Sequence, residues 1–150
     1  AFSLPLAVFV DTPGFLPGTA QEKGAVIRHG AKLVHAFAAA QVPAVTVVLR
    51  KAFGGAYIAM NSKDLGADLV LAWPQAQIGV MAAKPAVAIL HRRVIGAAED
   101  PGAEQERLAG EYAERHLGAR AAVADGHVDE IVEPGETRAA LAHAFRKGKP

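Results

Sequence analysis

Cysteine is absent from this 150-residue chain, which excludes a disulfide framework, a thiolate nucleophile and a cysteine-ligated metal. A chain without thiols suits a reducing compartment, and the cytoplasm is the expected location. An excess of charge of either sign is also missing. Sixteen Lys and Arg stand against fifteen Asp and Glu, a formal charge of +1, so neither nucleic acid nor a membrane surface is an expected partner. The longest apolar runs, such as LPLAVFV, fall far short of the roughly 18 to 20 residues that span a bilayer. The first residues, AFSLP, carry no initiator Met and no basic region before an apolar one, so no signal peptide is expected and the N-terminus reads as a processing boundary. Serine occurs only at Ser3 and Ser62, and neither lies in G-x-S-x-G. No G-x-x-x-x-G-K-[ST] occurs, so the DTPG at Asp11 to Gly14, a sequence also seen in GTP-binding proteins, stands without the rest of that machinery. The six histidines form no H-E-x-x-H pattern, and no metal is expected.

What is present is apolar content, 51% of the residues, enough for one buried core and hence one domain over residues 1–150. Leu4 to Val10 reads as a strand buried on both faces, closed by Asp11, Pro13 and Gly14. Val26, Ile27, Gly30, Leu33, Val34 and Phe37 recur at steps of three and four, predicting one helix from about Gln21 to Ala40 that Pro43 ends. Val45 to Leu49 is a second buried strand, with a helix expected from about Ala56. Leu69 to Ala72 and Ile78 to Val80 read as short strands, and Pro85 as the opening of a helix. Asp100 caps a helix with Pro101 at its first position, Glu111 and Arg115 support it as an i, i+4 pair, and Gly118 ends it. Val128 to Val132 is the last strand and Thr137 to Phe145 the last helix, with a frayed tail from Arg146. Strands alternating with helices predict an α/β domain with mostly parallel pairing.

The segment with the clearest chemical potential is RKAFGGAY, Arg50 to Tyr57, where two glycines lie between a buried strand and a helix start. First-turn amides lack intrahelical partners and sit at the positive end of the helix dipole, so they can stabilise an oxygen that becomes negative during reaction. Gly54 and Gly55 permit a positive φ and close approach of a substrate. From this segment alone, an ordinary tight turn is the competing reading.

Four stretches, VDTPGFLPGTAQEKGAVIRHGAKLVHAFA, VPAVTVVLRKAFGGAYIAMNSK, AWPQAQIGVMAAK and VDEIVEPGETR, together resemble the β (carboxyltransferase) subunit of acetyl-CoA and propionyl-CoA carboxylases, particularly the actinobacterial type. They occur in the family's order and span about Pro5 to Arg138. The resemblance implies a crotonase-like ββα spiral and, specifically, the C-terminal, biotin-side half of such a subunit. It implies transfer of CO2 from carboxybiotin on a carrier protein to the α-carbon of an acetyl- or propionyl-CoA thioester. It implies partners too: the N-terminal carboxyltransferase half, a biotin carboxylase or biotin carboxyl carrier subunit, and a homo- or hetero-oligomeric assembly.

The same resemblance places the biotin oxyanion hole on the backbone amides of Gly55 and Ala56, with Phe15, Gly54 and Tyr57 beside the cofactor. Ile58 occupies a position that faces the acyl end of the substrate, where many propionyl-type subunits carry Asp; the bland alternative is that it packs in the core. Ala82 and Pro85 depart from the family's pattern around Lys84, which leaves that loop's geometry open. Two rival functions remain at this point. One is a non-catalytic module that docks a biotinylated carrier or scaffolds an assembly; the other is a crotonase-type hydratase or decarboxylase using Glu22 or Asp64 as its carboxylate.

Overall fold

The computed structural model describes residues 2–147. Strand β1 (Leu6–Thr12) leads through α1 (Thr19–Lys23) and α2 (Val26–Ala39) to the long strand β2 (Ala44–Phe53). Helix α3 (Gly54–Ala59) follows without a linker, and a 3-10 turn precedes β3 (Leu69–Ala72) and β4 (Gln77–Gly79). Helices α4 (Ala83–Leu90), α5 (Arg92–Ala97), α6 (Pro101–Tyr112) and α7 (Ala119–Ala124) come next, then β5 (Glu130–Ile131) and α8 (Thr137–Lys147). The strands pair in the order β1-β2-β3-β5, and β4 joins β2 beyond the end of β3. All four pairings are parallel.

Strand β2 is buried on both faces from Ala44 to Val48. β1 runs Leu6–Thr12 and not Leu4 to Val10, and is not buried on both faces as expected: the core covers Val8 and Val10 but leaves Ala7 and Phe9 exposed. Alternate residues point to opposite sides. Val48 and Ala52 join Val8, Val10, Val70, Ala72 and Ile78 under α3 and α7, in a cluster that also holds Tyr57, Ala119, Ala122 and Val128. Val45 and Val47 join Leu71 and Val132 under α8, where Ala140, Leu141, Ala144 and Phe145 close the other side. Thr46, a polar residue on a buried strand, is fully shielded; it donates to the Asn61 carbonyl at 2.7 Å and accepts from Asn61 Nδ2 at 3.1 Å. That exchange offsets its desolvation and ties the end of α3 to the sheet.

Several boundaries differ from the sequence expectation, each for a local reason. The helix expected from Gln21 to Ala40 is two helices, because Gly24 closes α1 and Ala25 takes a left-handed conformation (φ 58) before α2 starts. Strand β2 continues four residues past Leu49, since Arg50 and Lys51 find a partner in Asp11 across the sheet. Helix α3 starts at Gly54, not Ala56, and β4 ends at Gly79. Pro85 is the third residue of α4. Asp100 does cap α6, accepting from the Gly102 and Ala103 amides at 2.9 and 3.0 Å, with Pro101 at the first position. Gly118 is no left-handed stop: after α6 a π-helical turn runs from Ala113 to Leu117, and Gly118, extended at φ −64 and ψ 153, instead opens α7. Glu111 pairs with Arg107 at 2.5 Å, where an Arg115 partner was expected. β5 is reduced to two residues, and α8 keeps Arg146 and Lys147; the expected frayed tail otherwise lies outside the described residues.

Candidate active site

The carboxyl end of the sheet is where β2 turns directly into α3. Gly54 takes φ 62, a left-handed conformation that glycine adopts without steric cost, and a Cβ there would come within 3.1 Å of the Val80 carbonyl oxygen. Glycine is therefore required at Gly54 by both backbone and neighbour. Gly55 differs: its backbone is not left-handed, and an added Cβ would meet only the Phe15 ring at 3.8 Å. Of the expected glycine pair, one position is conformationally demanding and the other keeps space open beside an aromatic ring.

Phe15 is seated between two helices. A Cβ on Gly30 of α2 would lie 2.9 Å from Phe15 Cζ, so the glycine inside the apolar stripe of α2 is the socket that lets the ring reach Gly55. Sequence reading placed Gly30 in the stripe as one more core position. An isolated glycine in a helical pattern signals close approach, and that signal marks it as the seat of Phe15.

Around this turn is a cleft of about 280 Å³ lined by Gly54, Gly55, Tyr57, Ile58, Asp64, Ile78, Gly79, Val80 and His127. Its walls are mostly apolar. Ile58 is 48% exposed and lines the cleft, so it does not pack in the core. Tyr57 is buried; its hydroxyl donates to the His127 carbonyl at 3.5 Å, and burial, reinforced by Asp64 and Asp129, pushes its pKa up to about 12. The phenol is thus neutral at ordinary pH and anchors α3 to the loop before β5. Asp64 and His127 approach to 3.8 Å at the rim, both well exposed. Sequence reading listed Asp64 only as a spare carboxylate and His127 as a stray histidine; neither carries a motif. Glu22, the other spare carboxylate, is not among the lining residues.

The amides of Gly55 and Ala56 belong to the first turn of α3. Among the described residues no side chain caps that end, and no main-chain bond outside the regular helices and strands uses either N–H. A pair of first-turn donors beside two side-chain-free positions can hold an oxygen bearing negative charge. Gly54, Gly55, Tyr57 and Ile58 line the cleft, Phe15 lies beside Gly55, and neither Phe15 nor Ala56 is among the lining residues. Lys84, on α4, pairs with Glu106 of α6 at 2.5 Å. No group of three or more potential ligands among the described residues could hold a metal ion, and no helix among them is long and apolar enough to cross a membrane.

A larger groove of about 580 Å³ lies at the opposite end of the strands, lined by Pro43, Val45, Leu69 and α8 residues such as Ala140 and His143. Asp68, Glu130 and Lys147 line it as well, and none of the site residues singled out from the sequence does.

A family model described as the carboxyl transferase domain matches residues 1–147. The carboxyltransferase subunit of propionyl-CoA carboxylase from Haloferax mediterranei is 51% identical over 146 residues, 97% of this chain and 28% of that protein. The biotin-dependent acetyl-/propionyl-coenzyme A carboxylase beta6 subunit of Mycobacterium tuberculosis (strain H37Rv) is 50% identical over 147 residues, 97% of this chain and 31% of that protein. Among solved structures, the transcarboxylase 12S hexamer with methylmalonyl-coenzyme A and methylmalonic acid bound superposes with a TM-score of 0.91 at 48% identity, over 97% of this chain and 28% of that one. The chain therefore spans less than a third of the length of these relatives. The parallel sheet and its helices are the crotonase-like α/β architecture that the sequence led us to expect.

Proposed function

We propose, from the premise that this chain belongs to the carboxyl transferase domain family, that it forms the biotin-facing, C-terminal side of a biotin-dependent acyl-CoA carboxyltransferase. The observation that carries the reading is the β2–α3 turn. Gly54, held at φ 62 against the Val80 carbonyl, and Gly55, open beside Phe15, leave first-turn amides uncapped at an apolar cleft.

The cleft fits biotin in size and character. About 280 Å³ with apolar walls accommodates a small neutral bicycle, and the paired amides match a single carbonyl oxygen. Phe15, Gly54, Gly55, Ala56 and Tyr57 are the residues that would hold it. Bound there on its carrier protein, carboxybiotin supplies the CO2 for the α-carbon of the thioester. The chain's own part is to bind, orient and stabilise charge. The Gly55 and Ala56 amides stabilise negative charge on the oxygen they face, Ile58 gives the mouth of the cleft an apolar wall toward the acyl group, and Tyr57 fixes α3. The proton lost from the α-carbon would pass to the biotin nitrogen that gives up CO2, so the transfer would balance without an acid or base from this segment.

On this reading acetyl- or propionyl-CoA is bound by an N-terminal half outside this chain, with biotin carboxylase and carrier subunits as further partners. Residues 1–150 make up one domain of an oligomeric, cytoplasmic enzyme. The hexamer of the transcarboxylase 12S relative supports an assembly of several copies. A purely docking or scaffolding module has no need of a left-handed glycine at the start of an uncapped helix beside an apolar cleft, which favours the catalytic reading. The test is transfer activity of the full-length chain with Gly54→Ala, which puts a Cβ into both a disfavoured backbone region and the Val80 carbonyl. Loss of transfer with retained fold supports the reading; wild-type transfer defeats it.

A further inference from the structure

We infer that Asp11 is a positioning residue for the Gly54–Ala56 turn: its carboxylate staples a bulge in β2 and thereby sets the direction in which the strand delivers the turn to the cleft. This inference rests on the function proposed above.

The pairing of β1 with β2 is regular from Leu6↔Ala44 to Val10↔Val48 and resumes at Thr12↔Ala52. Between those points β1 contributes only Asp11, while β2 contributes Leu49, Arg50 and Lys51. Two surplus residues on one strand bend it and leave main-chain groups without ladder partners, and bulges of this kind occur where a strand must re-aim a site. The other edge of β2 changes partner at the same place. β3 pairs with Val45 to Val48, and β4 takes over at Lys51 to Phe53. The residues directly before the glycine turn thus have a different register on one edge and a different neighbour on the other from the body of the strand.

Asp11 is the β1 residue opposite that bulge. Its Oδ1 accepts from the Lys51 backbone N–H at 3.2 Å, and Oδ2 accepts from Arg50 Nη2 at 2.9 Å and Nε at 3.2 Å. Among the described residues no other side chain hydrogen-bonds to this segment. The two contacts are unequal in consequence. Arg50 is 66% exposed, and an ion pair so open to solvent contributes little. The Lys51 amide is different, because it fixes the course of the backbone three residues before Gly54. The Arg50 guanidinium hydrogen bond also holds the Asp11 carboxyl below the usual carboxylate range.

The experiment uses the full-length chain in its assembled enzyme, with Asp11→Ala, Asp11→Asn and Arg50→Ala. Two readouts are taken: kcat and KM for carboxyl transfer between an acyl-CoA and the biotinylated carrier, and hydrogen exchange of the segment covering Phe53 to Ala59. Displacing a catalytic group by about 1 Å costs up to about 100-fold, so Asp11→Ala is expected to lower kcat by about 10- to 100-fold with KM for the acyl-CoA within about twofold. Its exchange at Phe53 to Ala59 should quicken. Asp11→Asn retains an oxygen for the Lys51 amide and should restore most of the kcat, and Arg50→Ala should stay within about threefold of wild type. Wild-type kcat and exchange in Asp11→Ala would overturn the inference, as would an Asn variant as impaired as the Ala variant. Absence of transfer in the wild-type enzyme would instead remove the proposed function, with the exchange measurement still deciding whether Asp11 orders the turn.

Discussion

Ile58 stands two residues past Ala56, 48% exposed on the wall of the cleft, and its exposure leaves it free to meet a ligand. An Asp in its place would seek water or a partner, whereas Ile offers an apolar surface. A methylene in such a pocket is worth about 1 to 3 kcal/mol, so discrimination between acyl chains is graded. The assembled enzyme is therefore expected to accept both acetyl-CoA and propionyl-CoA, with Ile58→Asp changing the ratio of their kcat/KM more than it changes biotin affinity. A competition between the two thioesters checks this, and an unchanged ratio would remove Ile58 from the site. Tyr57 makes the complementary case, a residue near the chemistry whose work is structural. Its folded pKa is raised to about 12 from 10.0, so the folded state favours the neutral phenol. Stability from this group is complete below pH 10 and is lost as pH rises from 10 toward 12, by about 2 to 3 kcal/mol at one pKa unit per 1.36 kcal/mol. Urea unfolding between those pH values should show the loss in wild type and its absence in Tyr57→Phe.

Among the elements, β2 carries most of the argument, since every other strand except β5 pairs with it. Its valines announce a doubly buried parallel strand, and the structure uses them so. Leu71 of the neighbouring β3 is fully buried against Val45, Val47 and Val132, so Leu71→Ala should destabilise the domain by about 3 kcal/mol, read as a lowered denaturant midpoint with unchanged slope. The α/β alternation was legible because buried strands and amphipathic helices leave different periodicities. What local pattern could not carry was anything decided across the sheet. Arg50 and Lys51 look like the end of a strand until Asp11, some forty residues earlier, is placed beside them. Ala25 gives no sign of its left-handed backbone, although Gly24 before it is a break signal that the apolar stripe of α2 concealed. The π-helical turn ends on a contact visible only in space: a Cβ on Gly79 would lie 2.6 Å from Leu117, so Leu117 packs directly onto β4 at a residue with no side chain. The glycine turn was legible as a place for chemistry, because glycines between a strand and a helix have a physical meaning of their own. The cleft's rim at Asp64 and His127 was not, since residues 63 positions apart meet only through the fold.

At the scale of the whole molecule, α2 has no buried residue, and Ile27, Leu33, Phe9 and Leu16 remain exposed on the chain. On the proposed reading these surfaces meet the rest of the enzyme, which the relatives supply in the other two thirds of their length. These 150 residues alone are therefore expected to fold yet show no carboxyl transfer, and a partner carrying the N-terminal half should restore it. Robust transfer by the isolated chain would contradict that division of labour. The central claim, that the Gly55 and Ala56 amides form an oxyanion site, is tested most directly by Gly55→Val in the full-length assembled enzyme. Since Gly55 lacks a left-handed backbone and a Cβ there meets only Phe15 at 3.8 Å, the substitution should spare the fold while its branched end intrudes beside the amides. Carboxyl transfer from biotin to acyl-CoA should fall by roughly 100-fold or more, a loss as large as the ~3 kcal/mol that removal of one oxyanion donor costs, because the side chain keeps the oxygen from the amides, with the melting temperature little changed. Transfer at the wild-type rate in a folded Gly55→Val enzyme would contradict the account.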